Sequence, residues 1–181
     1  MIFFSCKKDD TNITNIPLED LSQQYTLEND SIIQFMKSHF FNYDDFNDLS
    51  PNDSPEIVFD SIIGDNIDKT PIYEQVSTLQ ISVKDADDNL VNHNLYYHII
   101  REGIGENPTV ADSVFVSYKG LLLDGVSFDT RKNPIWMEAK NLIRGFQEFL
   151  PLLSKGDIRV NNNGTYEFFN FGIGFAIFPS G

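Results

Sequence analysis

Short apolar runs separated by turn residues fill the C-terminal half of the chain, and this spacing leaves little room for long helices. Alternating or continuous apolar positions predict strands. The predicted strands cover residues 76–83, 95–100, 114–123, 135–137, 156–160 and 166–178. A helical pattern covers 141–149, where Pro151 limits its length. One short helix among many strands predicts an α+β fold, an antiparallel sheet wrapped over that helix.

Charge divides the chain into two regions of different character. Residues 1–90 hold 18 acidic and 5 basic side chains, whereas residues 91–181 hold 9 acidic and 8 basic ones. The formal net charge is −14. Nucleic-acid binding is excluded on this ground, because contacts with phosphates need clustered Lys and Arg. The acidic half is interpreted as an extension, and its negative charges are expected to keep it soluble.

The N-terminal extension is predicted to be a tether followed by one helix. Residues 7–25 are polar, which suits a solvated tether. Over residues 26–41, Ile32, Ile33, Met36 and Phe40 follow helical spacing, with core packing as the expected use of that stripe. Residues 42–72 contain three prolines and many Asp and Asn, and are predicted to be mostly loop.

The N-terminus resembles the end of a bacterial lipoprotein signal peptide. Ile2, Phe3 and Phe4 are apolar, Ser5 is small, and Cys6 is the single cysteine of the chain. The resemblance implies that Cys6 is lipidated and anchors the protein without a spanning helix. It places the protein in the bacterial cell envelope, at the outer membrane on the periplasmic or surface side. A free or partly buried cysteine at a frayed end is the alternative.

Five sequence pieces follow one another in a characteristic order. In sequence letters with x for any residue, they are EGxGxxP from Glu102, DxVxVxYxG from Asp112, LxxDGxxFDT from Leu121, IRGFxE from Ile143 and LxSxG from Leu152. From Tyr96 to Gly181 this pattern resembles the FKBP-type peptidyl-prolyl cis–trans isomerases. The resemblance implies that the protein assists the folding of extracytoplasmic proteins by isomerising X-Pro bonds.

The resemblance also implies a set of site residues and partners. The residues matched to catalytic positions are Tyr118, Phe128, Asp129, Ile143 and Phe146, and those matched to substrate-binding positions are Ile135 and Leu142. Proline-containing polypeptides are the implied substrates, and macrolide-type compounds are possible inhibitors. Rotation about an amide bond needs no nucleophile, so neither a cofactor nor a metal is expected.

Some positions depart from the family pattern and leave alternatives open. Phe146 stands where Trp is commonest, and the chain stops at Gly181, before the expected final strand and a further pocket aromatic. A weak or inactive FKBP-like binding or chaperone module on a surface lipoprotein is therefore the alternative function. Asp129 could instead cap a turn, and Tyr118 could be an ordinary core residue. Trp136 is expected to pack in the core.

The predicted domain organisation has three parts. Residues 1–25 are the signal remnant and tether, and residues 26–72 form the helical and loop extension. Residues 73–181 form the FKBP-like domain lacking its final strand. The three histidines are scattered, and 85–89 lacks the later ligands of a calcium loop, so the sequence contains no pattern of a metal site.

Overall fold

The computed structural model describes residues 2–4, 19–84 and 90–179. The strands in these ranges are β1 (Ile2–Phe4), β2 (His39–Phe41), β3 (Phe59–Ser61), β4 (Ser77–Lys84), β5 (Leu90–Arg101), β6 (Ser113–Leu121), β7 (Ser127–Glu138), β8 (Asp157–Val160), β9 (Tyr166–Phe169) and β10 (Ile173–Ile177). The α-helices are α1 (Glu19–Ser38) and α2 (Arg144–Phe149). Short 3-10 turns cover Tyr43–Phe46, Gly64–Asn66, Ile72–Glu74, Ala139–Asn141 and Leu150–Leu152.

Six strands form the main sheet, in the order β4-β5-β10-β1-β6-β7. The pairs β4–β5, β5–β10 and β6–β7 are antiparallel, in agreement with the predicted antiparallel sheet. The short strand β1 lies parallel to both β10 and β6, where Phe4 is in register with Ile177 and Leu121. The α+β class is confirmed, and Ile2–Phe4 joins the two antiparallel parts of the sheet.

Strand β10 is buried on both faces. Ile173, Phe175 and Ile177 belong to an apolar cluster that includes the N-terminal extension. Ala176, which alternates with them, belongs to a second cluster with Phe149 of α2. Successive side chains of a strand point to opposite faces, so the sheet lies between the extension and α2. A strand that is covered on both faces has apolar residues at successive positions, and this explains the continuous apolar sequence of β10.

The extension shares its core with the sheet. Ile32 and Met36 of α1, Phe41 of β2 and Ile72 are almost fully buried in the first cluster. The Phe41 ring lies 5.3 Å from that of Phe175, at an angle close to an edge-to-face contact. The structure packs residues from both sides of position 72 into one core. The domain boundary at residue 72 remains a prediction.

The bounds of the first helix differ from the prediction. Helix α1 begins at Glu19, which is earlier than the predicted start at residue 26, and it ends at Ser38. No proline or glycine interrupts 19–25, and Gln24 donates a side-chain hydrogen bond to Glu28 one turn later. Phe40 leaves the helical stripe because residues 39–41 form β2, which pairs with β3, and Phe40 and Phe41 are both buried there. The predicted tether is thus helical over its last residues.

Exposure differs among the apolar residues of the chain. Of the apolar residues in 42–72, Ile57 is buried, but Val58 and Ile63 are exposed. The prediction that Trp136 packs in the core is wrong, because 69% of this residue is accessible. Cys6 and the predicted turn at 85–89 lie outside the described residues, so lipidation remains a prediction. None of the described helices is long and apolar enough to cross a membrane.

Two histidines join the extension to strand β5. The His98 ring contacts those of both Phe41 and Phe175, and its Nδ1–H donates to the Gln75 carbonyl at 2.7 Å. Burial lowers the pKa of His98 in spite of this hydrogen bond. His93 stacks on Tyr25 of α1 with a centroid distance of 4.4 Å, and burial lowers its pKa as well.

We expect acid to destabilise the fold through His98. Its native pKa lies below the unfolded value of about 6.5. The unfolded chain therefore binds more protons as the pH falls from 7 towards 5.5, and the free energy of unfolding falls with it. Urea unfolding at several pH values measures this slope. His98→Gln should flatten it, and an unchanged slope in that variant would contradict the assignment.

Candidate functional site

Three of the predicted site residues are in direct contact on the face of the sheet that α2 covers. Tyr118 of β6 donates its hydroxyl proton to Asp129 of β7 at 2.6 Å. Its ring stands nearly perpendicular to the Phe146 ring of α2, with centroids 5.2 Å apart. Tyr118 and Phe146 are buried, with 7% and 5% of each accessible. The structure therefore brings together a floor of two aromatic rings with a carboxylate at its edge.

Asp129 is held by more partners than the sequence indicated. Its Oδ1 accepts hydrogen bonds from the Thr130 backbone N–H at 2.8 Å and from Arg131 at 3.0 Å. The Arg131 contact was missed by sequence reasoning, although an Arg two residues further along a strand lies on the same face. The contact with Thr130 agrees with the turn-capping alternative, yet Oδ2 is used by Tyr118. Asp129 thus has both a local and a cross-strand role.

Glycine at position 120 allows Phe128 to lie close to the sheet. A Cβ atom on Gly120 would approach the Phe128 ring to 2.5 Å, which no real structure tolerates. Gly120 is in register with Asp129, the residue after Phe128, across the β6–β7 pair. Phe128 itself is 46% exposed. It forms an accessible apolar wall beside the buried floor, and a larger residue at 120 would displace it.

The remaining predicted residues surround this floor. Ile135 of β7 is in register with Val116 of β6, and Leu142 packs on the cluster that holds Tyr118. Ile143 immediately precedes α2 and is 51% exposed. Within the described ranges, no group accepts a hydrogen bond from its backbone N–H. This donor at the start of a helix is therefore available to a ligand carbonyl.

Helix α2 is fixed in place by a second close approach. A Cβ atom on Gly145 would lie 2.1 Å from the Phe178 ring, so the ring packs against the bare backbone of the helix. Phe149, one turn after Gly145, is completely buried. The bulky Phe149 thus fills space between α2 and the sheet. These contacts set the position of Phe146 and of the Ile143 N–H.

The electrostatics of the site keep Tyr118 neutral. Burial raises the pKa of the Tyr118 hydroxyl, and the hydrogen bond with Asp129 and the charge of that carboxylate raise it further. The hydroxyl donates its only proton to Asp129, so it can only accept hydrogen bonds from a bound molecule. The site offers an acceptor at Tyr118 and a donor at Ile143, on either side of an apolar surface.

A cavity lies elsewhere in the described part of the chain. It has a volume of about 300 Å³ and lies between the extension and the end of β6. Its lining includes Phe35, His39, Phe59, Lys119 and Leu123, and none of the predicted site residues. Geometry and chemistry place the candidate site at Tyr118, because a cavity alone specifies no reaction. Across the described ranges, no cluster of His, Cys, Asp and Glu could hold a metal.

Comparison with known proteins identifies the type of this segment. Residues 105–172, less than half of the chain, match the family model of the FKBP-type peptidyl-prolyl cis-trans isomerases. The FKBP-type resemblance is confirmed for this segment. The matched range contains every predicted catalytic and substrate-binding residue.

Curated relatives match over similar parts of the chain. FkpA of Escherichia coli K12, an FKBP-type peptidyl-prolyl cis-trans isomerase, is 35% identical over 95 residues, which are 51% of this chain and 33% of that protein. Mip of Coxiella burnetii, a peptidyl-prolyl cis-trans isomerase, is 36% identical over 69 residues, or 36% of this chain and 30% of that protein. The outer membrane protein MIP of Legionella longbeachae is 37% identical over 65 residues, which are 34% of this chain and 28% of that protein. The chain spans about a third of the length of these relatives.

Removing the Tyr118 hydroxyl should destabilise the protein measurably. Tyr118→Phe leaves the Asp129 carboxylate with one partner fewer, at a cost of about 1–2 kcal/mol in the free energy of unfolding. Urea denaturation measures this change. Tyr166→Phe is the matched control, because Tyr166 is 68% exposed, and its effect should stay within about 0.5 kcal/mol. Equal effects of the two substitutions would show that the Tyr118–Asp129 hydrogen bond contributes nothing.

Proposed function

We propose that the protein is a peptidyl-prolyl cis–trans isomerase that acts on extracytoplasmic polypeptides. The observation that carries this proposal is the contact of Tyr118, Asp129 and Phe146 within the segment that matches the FKBP-type family model. Phe128 and Ile143 flank this contact and are half exposed, so a peptide can reach them.

The site residues suit catalysis by binding a twisted amide. Rotation about an X-Pro bond is slow because twisting breaks amide resonance, at a barrier of roughly 18–20 kcal/mol. No bond between heavy atoms is made or broken, so the enzyme has to bind the twisted form better than the planar form. An apolar floor removes water from the amide, and a carbonyl freed from water favours the less polar twisted state.

Each predicted residue has a distinct task in this mechanism. The prolyl ring packs on Phe146 and Tyr118 and against the wall formed by Phe128. The backbone N–H of Ile143 donates a hydrogen bond to a substrate carbonyl and orients the chain. Asp129 holds the Tyr118 ring and hydroxyl in place and brings a negative charge close to the twisting amide. Ile135 and Leu142 contact the residues that flank the proline.

A binding module without turnover is the second candidate function. Phe146 is smaller than tryptophan, and Tyr118 and Phe146 are nearly closed to solvent as they stand. A shallow surface of this kind can hold a peptide without accelerating its isomerisation. The two candidates differ in one measurement, the rate at which a bound X-Pro peptide exchanges between its isomers.

Isomerase activity is tested on a short peptide with one X-Pro bond. We expect the wild type to raise the cis–trans exchange rate measured by NMR, and Phe128→Ala and Asp129→Asn each to lower kcat/KM by about tenfold, a loss of about 1.4 kcal/mol of transition-state binding. Asp65→Asn in the extension and Tyr73→Ala in the turn that follows it are matched controls and should leave the rate unchanged. Peptide binding without any rate increase in the wild type would favour the binding module.

We further propose that the protein is a lipoprotein of the bacterial envelope. The N-terminal sequence that ends in Cys6 supports this, and one relative is named an outer membrane protein. The test is metabolic labelling with a radioactive fatty acid in a bacterial host that expresses the gene with its natural upstream sequence. We expect label in the wild type and none in Cys6→Ala. An unlabelled wild type that fractionates with soluble proteins would contradict the anchor.

A further inference from the structure

An exposed apolar surface covers the side of β6 and β7 opposite the candidate site. Phe115 of β6 is in register with Trp136 of β7, and their rings lie 5.2 Å apart. The neighbouring residues Val114, Val116 and Met137 pack into the cluster beneath α2. Because strand residues alternate between faces, Phe115 and Trp136 point away from that cluster. Trp136 is 69% exposed, which is unusual for the largest apolar side chain.

The hairpin formed by β8 and β9 extends this surface. Phe168 of β9 lies with its ring 5.1 Å from that of Phe115. Ile158 is in register with Phe168, and Val160 with Tyr166, so these four residues share one face of the hairpin. Ile158, Val160 and Tyr166 are each more than half exposed. We name the six residues the outer patch: Phe115, Trp136, Ile158, Val160, Tyr166 and Phe168.

We propose that the outer patch binds an extended apolar segment of a non-native polypeptide, next to the prolyl bond held at Tyr118. This inference rests on the proposed function and adds to it the class of substrate, a long unfolded chain with apolar side chains. Contiguous exposed apolar surface of this kind marks an interaction site on a soluble protein.

Strand β7 makes the outer patch continuous with the candidate site. Ile135 and Trp136 are successive residues on opposite faces of β7, one beside the site and one in the patch. Strand β7 is the last strand of the main sheet, and no described strand pairs with its outer edge. A chain that crosses this edge in an extended conformation contacts both faces. It can also bond to the free backbone groups of β7.

A second copy of the chain suits the outer patch less well. Each copy has a formal charge of −14, and association would bring two like charges of this size together. A stable dimer buries roughly 20–30 residues on each side, whereas the patch comprises six. An unfolded apolar segment meets neither obstacle. Residues 91–181 are almost neutral, with 9 acidic and 8 basic side chains, so they do not repel it.

The position of Trp136 gives a direct test, because it is the single tryptophan of the chain. The probe is reduced, carboxymethylated ribonuclease A, a permanently unfolded polypeptide without tryptophan. We expect the probe to shift Trp136 emission to shorter wavelength and to protect it from acrylamide quenching. Val160→Ser with Tyr166→Ser should weaken binding about tenfold while leaving Trp136 in place. Ile67→Ser, at a position that is 65% exposed in the extension, should leave the dissociation constant unchanged.

Three results would overturn the proposal. The first is a wild type that does not bind the probe at concentrations up to about 100 μM. A dissociation constant above that concentration corresponds to a binding free energy weaker than about 5.5 kcal/mol. The second is equal binding by the wild type and the doubly substituted protein. The third is a wild-type dimer in sedimentation that the double substitution converts to a monomer, which would assign the patch to self-association.

A short X-Pro peptide separates this inference from the proposed function. Such a peptide fills the site at Tyr118 but is too short to reach the outer patch. We expect the doubly substituted protein to isomerise it at the wild-type rate. A wild type that fails to isomerise the peptide but binds the probe through the patch would refute the isomerase activity and support client binding. Loss of both in the double variant alone would show that the patch substitutions damage the site.

Discussion

The double-sided burial of β10 is the constraint on which the rest of the structure depends. On one face Phe175 meets Phe41 of the extension, and on the other Ala176 belongs to the cluster of α2. Glycine is required at 174, immediately before Phe175, because a Cβ atom there would lie 2.4 Å from the His98 carbonyl oxygen. The extension and the site helix are therefore attached to opposite faces of one strand. A substitution that removes contacts from either layer exposes apolar area on β10. Each Å² exposed lowers the free energy of unfolding by about 25 cal/mol.

This arrangement connects the extension with a site on the opposite face of the sheet. The candidate site lies on the α2 face, whereas His98, Phe41 and Ile57 belong to the other face. Strand β5 contributes to both, since Tyr96 packs on the extension and Leu95 packs under α2. A change that loosens the extension alters the support of the sheet behind Tyr118. The extension is thus part of the folded unit. Its negatively charged side chains lie on the side of that layer that faces the solvent.

The sequence allowed the strands and the site to be predicted better than the extension. Period-two runs located β4 to β6 and the last part of β7, because their apolar residues face a core on the side that the alternation indicates. Family motifs placed Tyr118 beside Asp129, which no local pattern could do across the β6–β7 pair. The start of α1 and the pairing of β2 with β3 were missed, since both depend on contacts between distant residues. Arg131 was missed for a different reason: its partner Asp129 is only two residues away, but the pair shares a face only if residues 129–131 form a strand, which was not predicted.

Trp136 shows why an apolar residue in a strand is an ambiguous signal. Alternation fixes which residues share a face, but it does not say which face is covered. Val116 and Met137 face α2, so Phe115 and Trp136 must face outward, and the β8–β9 hairpin contacts Phe115 there. That hairpin covers Phe115 in part and leaves Trp136 open, while it adds three exposed apolar residues of its own. A hairpin that served only to shield β6 would present polar residues outward. Its apolar outer face is better explained by a ligand that is itself apolar and extended.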